Sequence, residues 1–349
     1  MNSSKLEQED CFQINSIFFN EQINRAIDLS ISQFDRTIKK YVYFSLLFLF
    51  SIIAELCFLI FFLPFLVKSS LLAFSLALIF LTSFSYLIIR LYLKTKKPEQ
   101  LLEVKEKFID SFKRTFNYSE EIPEHHLAIA NACLKYSSTL QGREQSYYHI
   151  LFSRWFKMVI PITQKLGSFW HWQDVFEMRE LLLLQTVEEH IQLVKYAPTD
   201  LEVHAALANA YVSLSTLYVQ FEHEERGEDS QWKLSKDQVP FLEKKFRATA
   251  ERAIEEFKIL SDFAPNDPWV QTQLAYSYHD LGMPEEEIKA YETILAVSPN
   301  DKDTLYKLGV LYFQQGHNAK GLQIYEKFKK SNYKKAELLI SHYGDCNRF

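Results

Sequence analysis

Hydrophobic residues are concentrated in one long stretch near the start of the chain. From Tyr41 to Ile89 the only charged side chains are Glu55 and Lys68. A helix crosses the hydrocarbon core of a bilayer with about 20 apolar residues, so this stretch is long enough for two crossings. Helices of a soluble core rarely stay apolar for so long, because one of their faces usually meets water. The pattern predicts two membrane spans.

The turn between the two spans is predicted at residues 63–70. Pro64 removes a backbone donor there, and the lysine and serines that follow it supply polar side chains that tolerate water. We therefore expect a transmembrane hairpin over residues 41–93, with spans at about 41–67 and 70–91.

Positive residues flank the open end of the predicted hairpin. They are Arg36, Lys39, Lys40, Arg90, Lys94, Lys96 and Lys97. Because cytosolic flanks carry an excess of Lys and Arg, both termini are expected in the cytosol of a multi-pass protein with two spans. Two closely spaced spans of this topology resemble the bilobed segment of inclusion-membrane proteins from obligate intracellular bacteria. The expected location is a bacterial inner membrane, with an inclusion membrane as the alternative.

One carboxylate lies near the middle of the first span. Placing Glu55 there costs about 2.5–3.5 kcal/mol, which the surrounding apolar residues outweigh. Folding the hairpin brings Glu55 level with Thr82 and Ser83, whose hydroxyls can form hydrogen bonds across the helix pair. Two interpretations stay open: Glu55 helps two helices or two copies of the chain to pack, or it belongs to a proton or ion relay.

Amphipathic segments flank the hairpin at residues 1–40 and 94–123. Each carries an apolar stripe at helical spacing. The stripes consist of Ile23, Ile27, Ile31 and Phe34 before the hairpin, and of Leu101, Val104, Phe108, Phe112 and Phe116 after it. We expect the two stripes to pack against each other, with the membrane surface and the following domain as alternative partners.

The second half of the chain contains an internal repeat. Pro265-Asn266-Asp267 recurs 34 residues later as Pro299-Asn300-Asp301. The same shift relates Leu274 to Leu308, Ala275 to Gly309, Tyr278 to Tyr312, Gly282 to Gly316 and Tyr291 to Tyr325. The paired glycines are expected to end the first helix of each repeat, since glycine takes the left-handed conformation of a helix C-terminus without strain. The period predicts two consecutive helix pairs.

These residues resemble the tetratricopeptide repeat family. The family's pattern of Leu, small residue, Tyr, Gly, aromatic residue and Pro is met by Leu274, Ala275, Tyr278, Gly282, Tyr291 and Pro299. The next repeat follows the same pattern, except that Tyr333 stands in place of Pro. Glu287 and Gly321 replace the small side chain that the family carries at position twenty. We expect looser helix packing at those two positions.

Weaker matches extend the resemblance upstream. Residues 199–335 are expected to form tetratricopeptide-like repeats with a charged insertion at about 222–240, and residues 336–349 to form a capping helix and tail. The predicted fold is all-α, with the hairpin followed by an α-solenoid of about three to four helix pairs.

The helical region before these repeats is more divergent. Residues 124–198 are expected to form divergent helical repeats, in which a helix at 178–196 pairs with one at 125–140.

The resemblance implies a binding surface. In tetratricopeptide proteins, stacked helix pairs form a concave wall that binds extended or helical peptides. Carried across, the wall positions are Asn209, Val212, Trp269, Thr272, Tyr276, His279, Asp280, Asp303, Tyr306, Val310, Phe313 and Gln314. The carboxylate-clamp subtype uses Lys and Asn, and here only Asn209 matches, so a chaperone-tail ligand is not expected. Alternatively, these side chains only meet solvent or an inserted helix.

Composition and charge narrow the function further. The net charge of −5 provides no general positive field, which argues against nucleic acid as a partner. The four cysteines are widely spaced, and no phosphate-binding loop, nucleophile elbow or zinc-binding His-Glu-x-x-His motif occurs. We predict no catalytic residues, no cofactor and no metal.

The sequence therefore predicts a membrane-anchored adaptor rather than an enzyme. Its repeats are expected to bind a protein or peptide at the cytosolic face, and the hairpin contacts the lipid bilayer and provides a surface for a homo-oligomer. The alternatives are an oligomeric channel or proton-coupled component that uses Glu55, and an effector of the inclusion-membrane type.

Overall fold

The computed structural model is helical throughout the residues it describes. These are residues 3–66, 71–115, 118–145, 147, 160–225, 239–331 and 333–344. Every regular element within them is a helix, which confirms the predicted all-α class. The predicted turn around Lys68, the stripe residue Phe116 and most of the charged insertion lie outside the described residues.

Eleven α-helices lie in the described ranges. They are α1 (Ser3–Leu66), α2 (Leu71–Thr115), α3 (Pro123–Leu140), α4 (Ile160–Tyr196), α5 (Leu201–Glu225), α6 (Val239–Phe263), α7 (Pro268–Asp280), α8 (Pro284–Val297), α9 (Lys302–Gln314), α10 (Asn318–Ser331) and α11 (Tyr333–Ile340). A short 3₁₀ turn, Arg143–Gln145, follows α3. The chain divides into two compact units, residues 1–189 and 190–349.

In the first unit, α1 and α2 pack side by side as an antiparallel hairpin. The rings of Phe44 and Tyr86 stack with their centroids 6.0 Å apart. Both helices extend well beyond the predicted spans, α1 toward the N-terminus and α2 to Thr115, and α2 continues through Pro98. The amphipathic flanks are therefore continuous with the apolar segments rather than separate elements.

The two apolar stripes flanking the hairpin share one hydrophobic core. Ile23, Ile27 and Phe34 of α1 are buried in the same cluster as the α2 side chains Leu101, Val104, Phe108 and Phe112, and Ile31 packs against it. The predicted pairing of the stripes is thus confirmed for the residues described. The burial of these side chains holds together the ends of both helices that lie away from the predicted turn.

Helices α3 and α4 complete this core. Ile129, Cys133 and Tyr136 of α3 are buried with Met178 and Leu182 of α4. The two segments predicted as partners, 125–140 and 178–196, thus share one core, but the helix that contains the second begins at Ile160 rather than at residue 178.

A buried polar pair also joins α3 to α4. His126 Nδ1 lies 2.5 Å from Glu189 Oε2, and both side chains are only 6% exposed. Gln185 donates to the other oxygen of Glu189 at 2.8 Å. The two helices are thus held by polar contacts as well as by apolar ones.

In the second unit, each helix from α5 to α11 packs against the next one along the chain, in the order of a solenoid. His204 on α5 lies 2.6 Å from Glu256 on α6, and Tyr312 on α9 donates to Glu292 on α8 at 2.5 Å. The expected bounds of the insertion need correction, because α5 continues as helix to Glu225.

The capping helix begins at Tyr333, three residues earlier than predicted. The preceding repeats begin their next first helix only after a Pro-Asn-Asp turn. No such turn occurs before α11, so nothing delays the start of the helix.

Packing at position twenty of the second repeat is tight, contrary to the expectation. A Cβ atom on Gly321 would lie 2.5 Å from Cε1 of Phe313, closer than carbon atoms approach one another. The absence of a side chain at Gly321 lets α9 and α10 come together. In the first repeat, Glu287 is also buried, and its carboxylate lies 3.2 Å from His279 Nδ1.

Candidate functional site

The candidate site is the face of α7 and α9 that carries most of the predicted wall residues. Both helices start in the same way. The carboxylate of Asp267 accepts from the Trp269 amide at 2.8 Å, and that of Asp301 accepts from the Asp303 amide at 3.1 Å. These N-caps satisfy backbone donors that have no partner inside the helix.

Both helices also end in the same way. Gly282 has φ +66° and Gly316 has φ +75°. The next amide reaches back to the helix, from Met283 to Tyr278 O at 2.9 Å and from His317 to Tyr312 O at 2.7 Å. The predicted role of the two glycines at the helix C-termini is confirmed. The N-terminal and C-terminal caps together set the length of α7 and α9, and therefore the length of the face.

The repeat anchors orient the two helices. Leu274, Ala275, Tyr278, Leu308, Gly309 and Tyr312 are all buried. Because these positions point inward, the opposite side of each helix faces away from the core.

The predicted wall residues differ in their exposure. Six are exposed: Asn209, Trp269, Tyr276, His279, Asp280 and Asp303. Five are half-buried: Val212, Thr272, Tyr306, Val310 and Gln314. The remaining residue, Phe313, is fully buried.

The prediction for Phe313 is wrong. Its exposure is 0%, its ring lies against Gly321, and its ring centroid is 5.5 Å from that of Tyr343 in an edge-on contact. The segment after α11 covers the position that the family pattern assigns to the wall. Phe313 is a core residue and cannot touch a ligand on this face.

Two aromatic rings dominate the exposed part of the face. Trp269 is 43% exposed and packs edge-on against Phe257, with centroids 6.0 Å apart. Tyr276 is 44% exposed, and Lys307 Nζ lies 4.6 Å above its ring centroid while donating to the Tyr276 hydroxyl at 3.0 Å. Lys307 therefore links α7 to α9 across the face.

Lys307 was not among the predicted wall residues. It lies one helical turn before Val310, the position equivalent to Tyr276 in the next repeat. Side chains three residues apart share a helix face, so this spacing was the signal that could have found it.

The other charges on the face are of both signs. Asp303 forms an ion pair with Lys335 at 2.5 Å, and Asp280 is exposed. The hydrogen bond from His279 to Glu287 raises the pKa of His279 and favours its charged form. The face is thus aromatic at two points and mixed in charge, which suits a peptide better than a strongly charged ligand.

The membrane-polar residues lie in the hairpin. Thr82 Oγ1 donates to Glu55 Oε1 at 2.8 Å, whereas Ser83 is exposed. Among the described residues, no group of three or more His, Cys, Asp or Glu side chains is placed to hold a metal ion.

Comparison with protein families identifies the repeats. A family model described as tetratricopeptide repeat matches residues 270–301, and a second with the same description matches residues 303–334. The chain therefore contains two tetratricopeptide repeats. Its two matched repeats coincide with α7–α8 and α9–α10, the helix pairs that build the candidate site. No curated protein matches the sequence.

Solved structures of IFIT1 are among the similar ones. A monomeric mutant with Gppp-AAAA is 14% identical, with a TM-score of 0.32, over 70% of this chain and 60% of that one. The human IFIT1 dimer with m7Gppp-AAAA is 14% identical, with a TM-score of 0.30, over 72% and 61% of the two chains. The chain thus spans about 60% of the length of IFIT1. Similarity at this level says nothing about the ligand of the present protein.

Proposed function

We propose that this tetratricopeptide repeat protein is a membrane-anchored adaptor that holds a peptide segment of a partner protein at the cytosolic face. The observation that carries the proposal is the presence, in one chain, of an uncovered apolar hairpin and a repeat unit with an exposed aromatic face. The family's usual role as a non-enzymatic protein-binding scaffold supports it.

The apolar surface of the hairpin supports membrane anchoring. Among the described residues, two helices are long and apolar enough to cross a membrane, and the most apolar part of each is not buried within the described structure. Large side chains there are open, among them Phe50, Phe61, Phe65 and Phe80. A core helix of a soluble protein would bury these rings, and an apolar surface of this extent is unfavourable in water. Contact with lipid would shield this apolar surface from water.

Anchoring is tested by alkaline carbonate extraction of the full chain made together with phospholipid vesicles. We expect the protein to remain in the membrane pellet after extraction. Recovery in the supernatant, with its helical content intact, would contradict the anchor.

The exposed rings support peptide binding. Trp269 and Tyr276 lie on first helices, where the family's ligands bind, and the two side chains are 43% and 44% exposed. Aromatic side chains with a large open surface contribute much of the energy of protein interfaces. The proposed contact residues are the eleven predicted wall positions that remain after Phe313 is removed, together with Lys307.

A photo-crosslinking experiment tests the site. A photoreactive phenylalanine analogue replaces Tyr276 in the full-length membrane protein, and the matched control carries it at Lys289, an exposed position on a second helix. We expect crosslinks to a defined partner only from position 276, and Trp269→Ala should weaken them. Equal products from both positions would refute the assignment of this face.

A second candidate function is a proton-coupled membrane component. Glu55 Oε2 is buried and has no hydrogen-bond partner among the described residues, unlike the oxygen that faces Thr82. A carboxylate with one free oxygen in the span is able to bind a proton. In vesicles carrying a pH-sensitive dye, Glu55→Gln should then abolish proton flux, and equal flux through both proteins would dismiss this function.

A further inference from the structure

Exposed basic residues surround the cytosolic end of the predicted hairpin. Arg36 and Lys40 lie on α1, and Lys94 and Lys96 on α2, and all four are exposed. We call these four residues the basic collar. Between Arg36 and Glu99 the only acidic residue is Glu55, which lies inside the span. Positive charge therefore predominates at this end of the hairpin, where Asp35 precedes Arg36 and Glu99 follows Lys96 by three residues.

Contacts across the hairpin place the two halves of the collar at the same end. The Tyr41 hydroxyl donates to Gln100 Oε1 at 2.6 Å, and Lys97 Nζ lies 4.8 Å from the centroid of the Tyr41 ring. Since Lys40 precedes Tyr41 and Lys96 precedes Lys97, both lysines stand at one level of the helix pair. Their ammonium groups can reach the same layer of the membrane.

Aromatic rings mark that layer as an interface. Tyr43 is 56% exposed and Tyr92 is 55% exposed, and Lys96 Nζ lies 5.1 Å from the centroid of the Tyr92 ring. Exposed tyrosines beside lysines are typical of the headgroup region, where the ring meets lipid and the polar atoms meet water.

The collar differs from the neighbouring Lys97. The Lys97 ammonium pairs with Asp174 at 2.5 Å, and the two side chains are only 17% and 5% exposed. Within the described part of the chain, no carboxylate forms an ion pair with Arg36, Lys40 or Lys94. The charge of Lys97 is thus paired inside the protein, whereas the four collar side chains are exposed, with Tyr92 and Glu99 close to Lys96.

We propose that the basic collar binds the phosphate groups of anionic lipids in the cytosolic leaflet. This inference rests on the proposed membrane anchor. Clusters of four or more Lys and Arg residues next to a span attract anionic headgroups, and each residue contributes about a five-fold preference at low salt. The hairpin would therefore select its lipid neighbours by charge as well as by hydrophobicity.

Native mass spectrometry of the full-length protein tests the collar. The purified protein is titrated with phosphatidylglycerol or with phosphatidylcholine of the same acyl chains. The variant Lys40→Gln, Lys94→Gln, Lys96→Gln should lose most of the preference for phosphatidylglycerol. The matched control, Lys244→Gln, Lys258→Gln, Lys289→Gln, removes the same charge from exposed positions of the repeat unit and should keep it.

A charge-preserving variant and an extraction assay separate the outcomes. Lys→Arg at the three collar positions should retain the preference, which distinguishes lost charge from lost folding. The collar proposal is overturned if the wild type shows no preference for phosphatidylglycerol, or if the glutamine variant keeps that preference. In either case, a protein that still resists carbonate extraction from phosphatidylcholine vesicles would support the membrane anchor. If carbonate extracts the protein from every kind of vesicle tested, the membrane anchor is refuted, and the collar proposal is refuted with it.

Discussion

Replacing Gly321 by alanine should destabilise the second repeat, although the same change in most helices is stabilising. The gain in helix propensity is about 1 kcal/mol. Against it, the new Cβ would lie 2.5, 2.7 and 2.9 Å from three carbon atoms of the Phe313 ring. That ring is fully buried, so it has no free space to move into. Overpacking of a core costs about 1–3 kcal/mol, and we expect a net loss of up to about 2 kcal/mol.

Hydrogen exchange read by mass spectrometry measures this loss locally. In the full-length protein, peptides covering α9 and α10 report the opening free energy of these helices. A loss of 2 kcal/mol corresponds to exchange roughly 30-fold faster, since 1.4 kcal/mol is a factor of ten. The variants Gln323→Ala and Gln323→Gly serve as the control. Residue 323 is exposed on α10, so the two variants measure the difference in helix propensity between alanine and glycine without a contact to Phe313.

The Phe313→Leu background isolates the contact. The shorter side chain leaves room beside position 321, so Gly321→Ala should become neutral or stabilising there. The difference between the two backgrounds should be about 2 kcal/mol. The change from glycine to alanine can be compared at the two positions. If it slows hydrogen exchange of α10 at position 321 of the wild type as much as it does at position 323, the argument for close packing is refuted.

Three further predictions concern caps, protonation and a buried ion pair. Asp301→Ala removes the N-cap of α9 and should cost about 0.5–2 kcal/mol by the same exchange measurement, with an unchanged result arguing against the cap. Burial disfavours protonation of His204, but its bonds to Glu256 and the Pro198 carbonyl outweigh this and raise its pKa. That stabilisation is complete below about pH 6.5, the unfolded pKa, and is lost as the pH rises through the folded pKa. Protection of α5 and α6, corrected for intrinsic exchange, should therefore be lower at pH 8 than at pH 6, and a pH effect that persists in Glu256→Gln would contradict this. Lys97→Gln leaves Asp174 buried without its ammonium partner and should lower the stability of the first unit by about 3 kcal/mol, whereas Lys94→Gln should not; equal thermal unfolding of both variants would disprove it.

Local patterns were sufficient to predict much of the fold. The 34-residue shift located Gly282 and Gly316 at helix ends, because a left-handed residue there is a local requirement of the backbone. The stripes around Ile27 and Phe108 predicted their own pairing, since each left an apolar face that needed cover. Both signals depend on residues near one another in sequence.

The contacts of individual side chains were beyond these patterns. Phe313 was assigned to the wall because the family register places it there, and only the fold shows that the segment with Tyr343 covers it. Tight packing at Gly321 escaped notice because it depends on a ring one helix away. Lys307 was missed because its partner, Tyr276, lies in the preceding repeat.

The continuity of helix α2 allows it to act as a lever between the span and the buried core. It runs without interruption from Leu71, beside the predicted turn, to Thr115 in the buried core of the first unit. The part after Leu91 is about 36 Å long at 1.5 Å per residue. If the span changed its tilt by about 10° in a bilayer of different thickness, the far end would swing by roughly 6 Å. Membrane thickness would thereby be converted into a displacement of the helices packed around Phe108.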